Sequence, residues 1–219
     1  SKALLLLSGG LDSTLAGKLL LDMHIEVEAI NFVSPFCRCT PRSLGCSAAR
    51  KAADQLGIPV HVYANGEDYL DIVKHPRYGR GKRMNPCLDC RIYSFTRARR
   101  FMEKTGADFI ATGEVLGERP MSQHRRALDI IERESGLTGF VLRPLSARLL
   151  PPTKPELDNL VDRNRLLDIQ GRSRKPQFGL AERLGITDYL CPGGGCLLTD
   201  PEYSVRLRDL FVHEQSFTM

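Results

Sequence analysis

Short apolar runs alternate with stretches of helical spacing along most of the chain, and glycine or proline marks most of the joins. Residues 3–7 (A-L-L-L-L) are apolar without a break and end on Ser8, Gly9 and Gly10. That is the pattern of a strand buried on both faces of a parallel sheet. A helix is expected at once, with Asp12, Ser13 and Thr14 as capping types and Leu15, Leu19 and Leu20 as its apolar face. Residues 25–33 read as a second strand, 47–56 as a helix stopped by Gly57, and 58–63 as a third strand. Further on, 108–113 (D-F-I-A-T-G) reads as a strand, 127–134 as a helix and 140–144 as a fifth strand. Strands alternating with helices predict an α/β fold, a doubly wound and mostly parallel sheet with ligands at the carboxyl ends of its strands.

Beyond Leu150 the prolines Pro151, Pro152 and Pro155 mark a change. Residues 1–150 are read as a nucleotide-binding domain and 151–219 as a C-terminal extension packed on it, contributing a cysteine loop. Helices are expected at 177–184 and around 205–212, on either side of the loop 191–196 (C-P-G-G-G-C).

Composition narrows the class. The 219 residues are 42% hydrophobic, enough for a proper core. No apolar stretch reaches the roughly 20 residues of a membrane span and none has the form of a signal peptide, so a cytosolic protein with no membrane partner is expected. Seven cysteines then point to metal binding, catalysis or free thiols rather than to a disulfide framework. The net charge of +5 is modest but clustered: residues 74–104 hold ten Lys and Arg against two acids, Asp89 and Glu103. The plain reading of such a run is a solvated face. The sharper one is a polyphosphate partner, because residues 76–86 look like an open loop whose arginines can reach outward. Tyr78 and Tyr93 are the candidate base-stacking residues there.

The turn after the first strand carries the clearest chemistry. Gly9 and Gly10 let the backbone approach a ligand closely, and the positive end of the following helix favours an anion. The turn lacks the G-x-x-x-x-G-K of a nucleoside-triphosphate P-loop and the spaced glycines of a dinucleotide fingerprint. Cys87 and Cys90 form a C-x-x-C at a helix start, where the dipole and neighbouring arginines should lower a thiol pKa. Redox pair, half of a zinc site and cluster ligands are all open readings of that motif. Cys196 follows three glycines and is a candidate third thiolate. Cys37, Cys39, Cys46 and Cys191 are read as loop cysteines, spare thiols or a second metal site.

Residues 8–13 (S-G-G-L-D-S) resemble the S-G-G-x-D-S signature of the PP-loop ATP pyrophosphatases. Residues 84–91 (M-N-P-C-L-D-C-R) and 106–113 (G-A-D-F-I-A-T-G) resemble, in the same order, segments of tRNA 2-thiouridylases. Residues 119–123 and 193–200 look closer still to the PP-loop domains grouped with 4-thiouridine synthases, over about residues 3–210. The resemblance implies an adenine nucleotide alpha hydrolase-like, Rossmann-like fold and a tRNA sulfurtransferase that releases AMP and pyrophosphate. It implies ATP held by Ser8, Gly9, Gly10, Asp12, Ser13 and Gly113, with Mg2+ at Asp12; Glu114 and Glu118 are weaker magnesium candidates. Arg125, Arg172, Arg174 and Lys175 are candidates for the α-phosphate charge. Asp12, Cys90 and Cys196 are the implied catalytic residues, and Cys87, Cys90 and Cys196 the implied ligands of a 4Fe-4S cluster. Zn2+, or a cysteine persulfide with no metal, are the alternatives. The extra thiol Cys87, where 2-thiouridylases commonly carry an acid, moves the chain toward cluster-dependent thiolation. Implied partners are tRNA and a sulfur donor protein or sulfide. No stretch resembles the RNA-binding domain that precedes the catalytic domain of 4-thiouridine synthases, so a homodimer, a separate RNA-binding chain or a missing terminus is expected to complete recognition. A PP-loop enzyme activating a small carboxylate or modified base for amidation, and a non-catalytic ATP-binding or sulfur-carrying module, are the rival classes.

Overall fold

The computed structural model describes residues 1–37, 47–189 and 196–213. Cys39, Cys46, Cys191 and the glycines 193–195 lie outside the described residues, so the readings placed on them are not carried further.

The chain runs β1 (Lys2–Leu6), α1 (Leu11–Asp22), β2 (Glu26–Val33), α2 (Ser47–Leu56), β3 (Val60–Ala64), α3 (Glu67–Lys74) and α4 (Cys87–Thr105). It continues through β4 (Phe109–Thr112), α5 (Arg125–Ser135), β5 (Val141–Leu142), α6 (Lys154–Leu157), α7 (Lys175–Leu184) and α8 (Pro201–His213). The five strands make one sheet in the order β3-β2-β1-β4-β5, and every pairing is parallel. The α/β, doubly wound expectation is met. Helix α3 was not foreseen, although Gly66 at its N-cap, Glu67 and Asp68 in its first turn and buried Tyr69, Leu70 and Val73 are ordinary helix signals.

Alternation along β1 builds the layers. Ala3, Leu5 and Leu7 face one core with Ala16 and Leu20 of α1 and Ala52 and Ala53 of α2. Leu4 faces the other, with Phe95 and Ala98 of α4 and Ile131 of α5. A strand covered on both faces has to be apolar throughout, which is why the run 3–7 has no polar interruption. The strand order reverses between β1 and β4. That reversal opens a crevice at the carboxyl ends of the two strands, where ligands of such sheets bind.

A third cluster joins Leu11, Leu15 and Val115 to Leu180, Ala181 and Ile186, so α7 packs directly on α1. Among the described residues no helix is long and apolar enough to cross a membrane. Phe95 is fully buried on α4, so Phe95→Ala should cost about 3–5 kcal/mol in urea unfolding. Exposed Val212→Ala should stay within about 0.5 kcal/mol.

Candidate active site

The crevice is floored by the turn 8–10. Gly9 has φ +80°, and a Cβ there would stand 2.4 Å from the Ala48 carbonyl carbon, so both backbone conformation and space demand glycine. Gly10, not Asp12, Ser13 or Thr14, is the N-cap of α1. The expected caps lie inside the first turn instead. The Ser13 and Thr14 hydroxyls donate back to the Gly10 carbonyl, each at 3.0 Å. Ser8 Oγ accepts the Gly10 N–H at 3.3 Å and lies 3.1 Å from Ser13 Oγ. The side chains therefore hold the turn's shape and leave the first-turn N–H groups, which have no partner within a helix, for an anion. Gly113, directly after β4, closes the turn from the far side. A Cβ at Gly113 would lie 2.3 Å from both Asp12 C and Ser13 N, so only glycine lets the end of β4 abut α1 here.

Two carboxylates and an arginine gather above the turn. Arg174 donates to Asp12 Oδ2 at 3.0 Å and reaches Glu118 Oε1 at 3.4 Å; the Gln177 amide nitrogen lies 3.3 Å from Glu118 Oε2. Burial pushes the Asp12 pKa above the ordinary carboxylate value, against the pull of Arg174 and Arg119. Burial and the charge on Asp12 do the same to Glu118. Asp12 Oδ1, Arg174 Nε and Gln177 Oε1 are buried with no hydrogen-bond partner among the described residues. Unused carboxylate capacity beside a guanidinium suits a hard divalent cation and the phosphate it carries, so these residues fit magnesium and ATP. Of the cations proposed for the α-phosphate, Arg174 is at the site. Arg125 is spent on an exposed pair with Asp129 on α5, and Arg172 and Lys175 are exposed.

Glu114 has another role from the one expected of a loop acid. It is buried, with Oε1 accepting from Arg91 Nε and Nη2 at 3.0 and 2.7 Å and Oε2 accepting from Arg143 Nε at 3.0 Å. Arg143 also pairs with Glu132. Burial would raise the Glu114 pKa, but Arg91 and Arg143 outweigh it and hold the carboxyl below its ordinary range.

Arg91 follows Cys90, so the same network reaches the cysteines. Cys87 opens α4 and Asn85 donates to its Sγ at 3.3 Å; Tyr69 Oη donates to Cys90 Sγ at 3.2 Å. Cys196 faces Cys37 across an isolated antiparallel bridge. Cys90 and Cys196 sit against an apolar cluster of Phe36, Tyr69, Met84 and Leu198. All four thiols are free. The expected lowering of the Cys90 pKa is reversed: burial pushes it up despite the Tyr69 hydrogen bond and Arg91. Burial also pushes Cys196 up to about 12. Among the described residues no three His, Cys, Asp or Glu side chains are placed to hold a single metal ion. Thiols as donors suit zinc and an iron–sulfur cluster alike. Nothing in the sequence marked Tyr69, Arg143 or Gln177, and Cys37 was hidden among loop cysteines.

Residues 1–137 match the family model of the tRNA methyl transferase HUP domain. The chain belongs to that family. The tRNA-specific 2-thiouridylase MnmA of Sulfurimonas denitrificans is 38% identical over 119 residues, 52% of this chain and 35% of that protein. The enzyme of that name from Mycobacterium leprae is 33% identical over 163 residues, 68% of this chain and 44% of that one. The chain thus spans about a third to under half the length of these relatives. A solved 4-thiouridine synthetase–RNA complex with bound ATP is 24% identical, with a TM-score of 0.49, over 97% of this chain and 53% of that one. The U34-tRNA thiolase NcsA of Methanococcus maripaludis, solved with its 4Fe-4S cluster, is 21% identical, with a TM-score of 0.44, over 98% of this chain and 67% of that one.

In this family member the basic stretch 74–104 is less available than its sequence suggests. Arg77 pairs with Glu134, Arg80 donates to the Val73 and Lys74 carbonyls, Arg97 to Ala64 O and Asn65 Oδ1, and Arg99 to Glu103. The loop before α4 is pinned by Asp89, which accepts the Arg77 and Tyr78 N–H groups at 3.0 Å each. Tyr93 is committed to Asp68 and to ring contacts with Tyr69. Lys82, Arg83, Arg100 and Lys104 remain as the candidate phosphate contacts of this stretch.

These environments predict opposite outcomes for two carboxyls. The raised Asp12 pKa means its ionised form costs stability, a cost that grows as pH rises from about 3.9 through the folded value. Asp12→Asn should therefore match or exceed the wild-type Tm at pH 7 and flatten its fall across that window; a lower Tm at pH 7 contradicts the assignment. Glu114 has a lowered pKa, so its contribution is present at neutral pH and lost only as pH falls through the folded value. Glu114→Gln leaves two guanidinium groups short of a partner and should cost about 3–5 kcal/mol at pH 7 in denaturant unfolding.

Proposed function

We propose that this protein is an ATP-dependent tRNA thiolation enzyme, which adenylates a uridine carbonyl oxygen and replaces it with sulfur. The observation that carries the reading is one continuous line of contacts. Asp12 abuts Gly113, the next residue Glu114 grips Arg91, and Arg91 adjoins Cys90. The Glu114–Arg91 pair thus links the turn read as nucleotide-activating to the helix that carries Cys90, which supports pairing the two in one reaction. The thiouridylase names of the relatives support thiolation over the methyl transfer in the family's description.

A carbonyl oxygen on a base is a poor leaving group, whereas the same oxygen bearing AMP leaves readily. Splitting one hard displacement into two easier ones is the logic of covalent activation. The turn of Ser8, Gly9, Gly10 and Ser13 holds the departing pyrophosphate through backbone N–H groups. Asp12 and Glu118 hold Mg2+, and Arg174 balances charge on the α-phosphate, where fixed dipoles in a dry site act most strongly. Cys87, Cys90 and Cys196 would hold a 4Fe-4S cluster, which when bound supplies a position for incoming sulfide. In either sulfur chemistry Tyr69 and Arg91 orient Cys90, and the apolar wall of Phe36, Met84 and Leu198 keeps water from the adenylate. The partners are tRNA, met by Lys82, Arg83, Arg100 and Lys104, and a sulfur donor protein or sulfide. A second copy, a separate RNA-binding chain or a further part of this protein completes recognition, and the cytoplasm is the compartment that supplies these partners.

Incubation with ATP and tRNA from cells lacking the gene tests this. Pyrophosphate release should require the tRNA, a thiolated uridine should appear on nucleoside mass analysis, and Asp12→Ala should slow release about 100-fold or more. Release indifferent to RNA would move the reading to a small carboxylate substrate, and no release at all to a non-catalytic module.

A further inference from the structure

Helix α4 packs on β1 and β4, and beside it, over β2 and β3, lies a groove of about 230 Å³. Its floor is Ile30 and its walls are aromatic: Phe32 and Tyr63, paired directly across the two strands, and Phe101 from α4. Tyr63 is exposed, with its ring centroid 6.4 Å from that of Phe32 and 5.8 Å, edge-on, from that of Phe101. Register sets the height of the groove. Leu6 pairs with Ile30 and Phe32 with Tyr63, so these two rings stand two residues beyond Leu6, level with the glycine turn. Two strand spacings, about 10 Å, separate Tyr63 from that turn.

The remaining lining residues are all cationic: Arg97, Arg100 and Lys104. Arg97 donates to neutral acceptors, Ala64 O and Asn65 Oδ1, and its guanidinium lies 5.0 Å from the Phe32 ring centroid, so its charge is not offset by a carboxylate. Arg100 and Lys104 are exposed and have no ion pair among the described residues. A second groove, of about 600 Å³, shares Arg97 and Arg100 and continues past Tyr93 and Thr96 to Asp89 in the first turn of α4. Its two acids are already engaged. Asp89 accepts the Arg77 and Tyr78 N–H groups, and Asp68 accepts the Tyr93 hydroxyl. The two grooves together follow one flank of α4, from Lys104 to the turn that carries Cys90.

Exposed aromatic rings beside unpaired cations are the two features a single-stranded nucleic acid uses: its bases stack on the rings and its phosphates meet the cations. An acidic peptide would use the cations but bring nothing flat to Tyr63. A free nucleotide would leave the continuing groove empty. We propose that this groove holds a single-stranded segment of the RNA substrate, with one base stacked on Tyr63 and the adjoining phosphates on Arg100 and Lys104. The proposal rests on the reading of RNA as the substrate, and it adds the place where the strand beside the reacting nucleotide is held. Every base has a flat face, so Tyr63 reads no sequence. It reads pairing state instead, because bases in a stem present no free face, and this directs the enzyme to unpaired nucleotides.

The test is fluorescence anisotropy with a labelled single-stranded RNA of about ten nucleotides, in the absence of ATP and of any sulfur source. Tyr63→Ala should weaken binding about tenfold, and Tyr63→Phe should restore it. Arg100→Ala and Lys104→Ala should each flatten the dependence of log affinity on log salt by about 0.7. A duplex of the same length should bind wild type and Tyr63→Ala alike. Ultraviolet crosslinking of a 5-bromouridine form of the strand to the wild-type chain, mapped by mass spectrometry, should mark the peptide that contains Tyr63; this result decides even where a variant fails to fold. Unchanged affinity in a folded Tyr63→Ala variant, displacement of the strand by poly-glutamate or by AMP at equal concentration, or a crosslink confined to other peptides overturns the proposal. Single-strand binding through Tyr63 with no thiolated product would fault the thiolation reading alone. Thiolated tRNA made by Tyr63→Ala at an unchanged KM would fault this one alone.

Discussion

Glu114 leaves β4 directly after Gly113 and gives both carboxylate oxygens to guanidinium groups from different elements, Arg91 on α4 and Arg143 after β5. Taking such charges out of water costs several kcal/mol per ion, and their attraction offsets that only where the geometry is well satisfied. A forked contact from Arg91 and a second arginine shared with Glu132 supply that geometry. Hydrophobic side chains of the same volume would serve stability at least as well. What they would not do is fix one rotation of α4 against one height of β4. The ion network does, and it therefore sets where Cys90 stands relative to the glycine turn after β1.

The same contrast separates Glu114 from the two acids above the glycine turn. Glu114 is as deeply buried as a carboxylate can be, yet its neighbours keep it ionised below the ordinary range. Asp12 and Glu118 are less buried yet titrate above it, because burial there outweighs the pull of Arg174 and Arg119, and Glu118 also sees the charge on Asp12. Carboxylates held at an energetic disadvantage in a crevice are those that gain most from an added cation. Burial alone would have ranked the three in the wrong order.

How much of this was legible in the sequence follows from the range of the forces involved. Strands β1 and β4 and the glycine turn were readable because apolar runs and backbone conformation are local properties. Gly113 was read as a nucleotide contact, but its packing role was not visible: the contact with the Asp12–Ser13 peptide joins residues about a hundred positions apart. The arginines of 74–104 looked free because their partners Glu114, Glu134 and the carbonyls of Val73 and Ala64 are tertiary neighbours. The cysteine forecast failed on magnitude. A helix dipole and one arginine are weaker than the cost of placing a thiolate among Phe36, Tyr69 and Leu198.

That burial also explains a feature which the motif reading had backwards. A low-pKa thiolate in an open crevice reacts with any electrophile or oxidant that reaches it. Burial instead raises the pKa of Cys90 and Cys196 in an apolar wall, with Tyr69 donating to the one and a strand partner facing the other, which lowers the thiolate fraction of both. Under the proposed thiolation, the same wall would exclude the water that hydrolyses an adenylated base. Reaction would then wait on activated substrate and sulfur together, with the Glu114 network holding α4, and with it Cys90, against the end of β4.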